Sequence, residues 1–153
     1  MIREAQQLLR LRALRVQRLR TRCAEAQLEV DEALRAVQQS QRSIERCRQD
    51  MKQLSHSLVH EQAAALPRWH GIAAAERERL ADRLERLEVT LIDDEEHLEA
   101  KQEALQKARA ELTRALAGED AVRSLADEAR RELARAAERR GEVELEDQGR
   151  RRG

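Results

Sequence analysis

The sequence predicts an all-α protein, a long antiparallel two-helix coiled-coil hairpin. Three observations carry that prediction. First, apolar or thiol residues recur at every seventh position without a miss: Ile2, Leu9, Val16, Cys23, Val30, Val37, Ile44, Met51 and Leu58. A seam repeated at this period is the mark of a supercoiled helix packed along its length against another. Second, an independent seam of the same period runs Leu84, Leu91, Leu98, Leu105 and Leu112. Third, the only Pro and the only Trp stand between the two seams, at Pro67 and Trp69.

The first helix is expected over about residues 2–65. Its second seam row is Ala5, Arg12, Leu19, Ala26, Ala33, Ser40, Cys47 and Leu54, mostly small residues that ask for larger ones opposite. Its first 22 residues carry Arg3, Arg10, Arg12, Arg15, Arg18, Arg20 and Arg22 against Glu4 alone. Cations at a helix N-terminus oppose the macrodipole, so they read either as a solvated face or as a surface for an acidic partner. His56 and His60 stand one turn apart but fall on the water-facing side of the heptad, and the Glu of an HExxH site is missing. No metal site is expected there.

The turn is expected at about residues 66–71, because Pro67 disfavours helix at Leu66 and Gly71 permits positive φ. Trp69 then lies at the tip, either capping the end over Leu66 and Ile72 or, together with Ile72, anchoring a partner. The second helix is expected over about residues 72–140, closing one domain at residues 1–141. Folding the chain back at Trp69 places Leu54 against Leu84, Cys47 against Leu91, Ser40 against Leu98, Ala33 against Leu105 and Ala26 against Leu112. Large meets small in most of these layers, as a filled seam requires. Asp94 and Lys101 break the apolar row opposite Ile44 and Val37, which predicts a loosened or hydrated segment. The Ala-rich end near both termini should be thin. Residues 142–153, EVELEDQGRRRG, have no period and read as a disordered charged tail.

Composition agrees with an extended helical protein. Charged residues make up 39% and aromatics 1%, and a seam one residue wide needs no aromatic filling. Lys plus Arg equals Asp plus Glu at 30 each, which disfavours a general nucleic-acid binder. No apolar stretch approaches the roughly 20 residues of a membrane span, and no apolar leader follows the first charges, so a cytosolic location is expected. Cys23 and Cys47 are about 36 Å apart along one helix at 1.5 Å per residue and read as two small seam residues.

Catalytic chemistry has no foothold. The sequence holds no Gly-rich phosphate loop, no CxxC and no Ser-His-Asp set, and carboxylates on a solvated helix lack a pocket to tune them. The expectation is a protein-binding helical hairpin that is not an enzyme, with neither catalytic residues nor a cofactor.

The segment Leu8-Leu9-Arg10-Leu11-Arg12-Ala13-Leu14-Arg15-Val16-Gln17-Arg18 resembles the opening of the YscO/FliJ-like type III secretion central stalk proteins. The likeness extends to two long helices with a central turn, to the Gln/Ser-rich run Val37-Gln38-Gln39-Ser40-Gln41 and to a charged C-terminal segment. The resemblance implies a non-catalytic central stalk at the cytoplasmic face of a bacterial secretion apparatus. Such a stalk binds the hexameric type III secretion ATPase and promotes its activity, reaches toward an export gate protein at the inner membrane, and holds export chaperones. On that reading Arg10, Arg15, Arg18 and Arg22 would meet the ATPase, and Trp69 and Ile72 would approach the gate. The free chain is expected to be a monomer. Two other classes compete. A parallel homodimer of the first helix would act as a scaffold or spacer, but it sets Ala26 against Ala26 and Ser40 against Ser40. A nucleic-acid-binding coiled coil would use the basic start, but it lacks aromatic platforms.

Overall fold

The computed structural model describes residues 2–60 and 66–153. The fold is the expected all-α hairpin: α1 spans Ile2–His60 and α2 spans Leu66–Arg152, and the two pack against each other antiparallel. Between Ile2 and His60 there is neither Gly nor Pro, and Leu, Arg, Ala, Gln and Glu dominate, all strong helix formers.

The turn differs from expectation. Residues 66–71 are the first turns of α2, not a loop. Pro67 starts a helix here and does not break one. In the first turn its missing N–H has no intrahelical acceptor to lose, and its fixed φ suits the helix. Gly71 is helical as well and has no positive φ. The expected end of the first helix, at residue 65, lies outside the described residues.

The tail differs too. Residues 142–152 continue α2, where the absence of an apolar period had suggested disorder. Period reports packing, not helix content. Glu146 and Asp147 precede Arg150 and Arg151 by four residues, the favoured ion-pair order, and three arginines end the helix where the dipole is negative. These residues are exposed throughout, so local propensity alone carries this stretch.

The chain divides into two compact units, residues 1–24 with 107–153, and residues 25–106. In the second unit the core is Val30, Ala33, Val37, Ser40, Ile44 and Cys47 on α1, with Ala73, Leu80 and Leu105 on α2. These α1 positions are the two expected seam rows. In the first unit Val16, Leu19 and Ala115 form a buried cluster against which Leu112 and Leu116 pack. Val122 and Ala126 continue the buried row on α2.

The register is displaced from the expected one by about one heptad. Leu19, not Ala26, shares a cluster with Leu112, and Val16 shares the same cluster with Ala115. Ser40 meets Asp94, not Leu98. A slip of one heptad keeps both seam rows in contact, so apolar pattern alone does not forbid it. Polar residues do. Ser40 Oγ donates to Asp94 Oδ2 at 2.5 Å with Ser40 only 7% exposed. Lys101 Nζ reaches Glu29 Oε2 at 3.1 Å. Asp94 and Lys101 therefore do not loosen the seam. Each has its own partner in this register, and Val37 and Ile44 remain buried beside them. The Cys47 thiol donates to the Leu80 carbonyl at 3.4 Å, so it is a buried seam residue, and both cysteines are free.

Candidate protein-docking surfaces

With the α1 seam covered by α2, several large apolar residues remain outside it. On the first turns of α1, Leu8, Leu11 and Leu14 are 44%, 64% and 53% exposed. They stand at three-residue steps, off both seam rows, so the fold cannot bury them. Arg10, Arg15 and Arg18 are exposed on the same stretch. Together they make a leucine face bordered by guanidinium groups, a surface suited to an acidic amphipathic partner. Arg22 differs: its Nη1 lies 3.6 Å from Glu111 Oε2 across the two helices. Both side chains are largely solvated, so the pair contributes little and leaves Arg22 able to exchange partners.

Arg12 sits on the seam but turns its guanidinium toward Gly118. A Cβ at residue 118 would lie 3.2 Å from Arg12 Nη1. Gly118 therefore makes room for a charged side chain in an apolar row. Nearby, an open groove runs along the helix pair, lined by Ala13, Val16, Gln17, Thr21, Leu116 and Arg123. Glu119 pairs with Arg123 at 2.8 Å on its edge.

At the start of α2, Trp69 is 43% exposed and Ile72 61% exposed, one turn apart, while Ala73 is buried. Trp69 and Ile72 thus share an outward apolar patch. The side chains of Leu66 and His60 lie outside the described residues, so the expected cap over Leu66 and the His56–His60 pair do too.

A third surface lies on α2, beside the acid-rich stretch of residues 93–103. On the outer side of α2, Val89 and Ile92 are 54% and 55% exposed. Around them Asp82, Glu85, Glu96 and Glu99 are also exposed. At helical spacing these residues share one face, with Arg86 on its edge, and its balance is acidic where the face of α1 is basic. The signal that marks both faces is present in the sequence: Leu8, Leu11, Leu14, Val89 and Ile92 are large apolar residues that no heptad row accounts for.

No helix among the described residues is long and apolar enough to cross a membrane. No protein-family model, curated protein or solved structure matches this chain.

Proposed function

We propose that the chain is a non-catalytic central stalk of a type III protein secretion apparatus, binding the hexameric secretion ATPase and promoting its activity. The observation that carries the reading is the exposed face of Leu8, Leu11 and Leu14 among Arg10, Arg15 and Arg18. It lies in the segment whose wording resembles the stalk family. An ATPase ring can read such a face with acidic loops, while antiparallel helices supply a stiff support. The patch of Trp69 and Ile72 suits a contact with the export gate, and the remaining charged helix surface suits export chaperones. The scaffold reading loses its main surface. Val16, Val30, Val37 and Ile44 are already buried by α2, so α1 has no open seam for a second α1.

The test is steady-state ATP hydrolysis by the cognate hexameric ATPase with the purified chain titrated from below one per hexamer to well above it. Stimulation that saturates near one chain per ring supports the stalk. Reversal of Arg10, Arg15 and Arg18 to Glu should remove most of it, whereas Trp69→Ala should leave it intact. No stimulation by the wild-type chain at saturating concentration would sink the proposal.

A further inference from the structure

We propose that the basic leucine face of α1 docks on the acidic valine–isoleucine face of α2 in a second copy of this chain. The two faces complement each other in three respects. Their charges are opposite: Arg10, Arg15 and Arg18 on one, Glu85, Glu96 and Glu99 on the other, all exposed. Their apolar centres match in spacing, since Leu11 and Leu14 stand three residues apart, as do Val89 and Ile92. Both centres are more than half exposed, at 64% and 53% against 54% and 55%. The chain carries 30 cations and 30 anions, and on these two faces the charge is sorted by sign. Charge sorted in this way attracts copies to one another while the net charge offers no repulsion to keep them apart.

The contact joins unlike faces, and each copy carries one of each kind. It is also small. Two exposed leucines and two exposed β-branched residues fall short of the roughly 1,000 Å² of a stable interface, so electrostatics must contribute much of the attraction. Association is therefore weak and salt-sensitive, and the chain is a monomer once salt screens the faces. The arginine face is the same one assigned above to the ATPase, so self-association hides it until a better acidic partner competes. The inference does not rest on that assignment, since a chain that fails to stimulate an ATPase can still self-associate.

Sedimentation velocity on the full chain tests it, at about 20 mM and about 0.5 M NaCl and up to roughly 100 µM protein. The wild-type coefficient should rise with concentration in low salt and fall to the monomer value in high salt. A basic-face variant (Arg10→Glu, Arg15→Glu, Arg18→Glu) and an acidic-face variant (Glu85→Lys, Glu96→Lys, Glu99→Lys) should each stay monomeric in low salt. An equimolar mixture of the two should associate again, because one variant keeps each original face. That recovery separates a lost contact from a lost fold. A wild-type chain that is monomeric in low salt, association that persists in high salt, or a mixture that stays monomeric would each overturn the proposal.

Discussion

Ser40 and Asp94 show how one polar pair outweighs a clean apolar pattern. Ser40 is buried, and its hydroxyl donates to a carboxylate that also lies partly buried across the seam. A hydrogen bond to a charged group is worth about 1.5–3 kcal/mol when buried, and partial solvation of Asp94 lowers that. Asp94→Ala should therefore cost about 1–2 kcal/mol, read as a fall in urea midpoint with an unchanged slope. Ser40→Ala in the Asp94→Ala background should cost little more, since the partner is already gone. Gly118 is the opposite case. Its backbone is helical with no positive φ, so glycine there serves only to make room. The crowding atom is the far end of a flexible arginine, which can swing aside. Gly118→Ala should stabilise the chain, by up to about 1 kcal/mol of helix propensity. A fall in melting temperature would mean that Arg12 is held firmly over Gly118.

At the scale of the elements, the sequence made the two helices, their seams and their antiparallel pairing legible. Nine heptad positions in a row leave little else for α1 to be, and Val16, Val30, Val37 and Ile44 are buried as that row requires. Register was not legible, because a heptad slip returns every seam residue to a seam. Two polar contacts, Ser40 with Asp94 and Lys101 with Glu29, break the tie. The turn was misplaced because Pro67 was read as an ending, although proline suits a helix start equally well. The last stretch of α2 was read as disordered because it lacks a period, yet Glu-to-Arg spacing and terminal arginines favour helix without burial. Of the candidate residues, Trp69 and Ile72 are exposed as a partner site requires. The acid-rich middle of the second helix, from Asp93 to Glu103, is legible in the sequence, whereas the exposed apolar residues Leu8, Leu11, Leu14, Val89 and Ile92 stand out only against the placed seam. The tail carries its own prediction. Residues 142–153 are fully exposed, so ending the chain at Gly141 should remove helical ellipticity and shift the melting temperature by less than about 2 °C. A larger fall would show that this stretch packs on something.

Burial along the α1 seam is uneven, dense over residues 30–47 and thinner toward both ends, where Ile2, Ala5 and Leu9 and then Met51, Leu54 and Leu58 are half-buried. In the unit of residues 25–106 the α1 seam is buried at Val30, Ala33, Val37, Ser40, Ile44 and Cys47 in succession. In the other unit Ile2, Ala5, Leu9 and Arg12 are only half-buried before Val16 and Leu19 close the seam. Backbone hydrogen bonds over few buried contacts open at low free energy, and those over a dense core open only near global unfolding. Amide hydrogen exchange should therefore be slowest over residues 30–47, faster around 16–19, and fastest over 2–12 and 142–153. A low-stability start suits a segment that meets a partner, because ordering of α1 then accompanies binding. If α1 docks as proposed, adding the cognate ATPase in moderate salt should slow exchange over about residues 8–18 and leave 30–47 unchanged. Slowing confined to 30–47 would place the partner on the central part of α1 and remove the basis for assigning Arg10, Arg15 and Arg18 to it. Uniform exchange along α1 would show instead that the helix opens as one cooperative piece, and the link between thin burial and local looseness would fail.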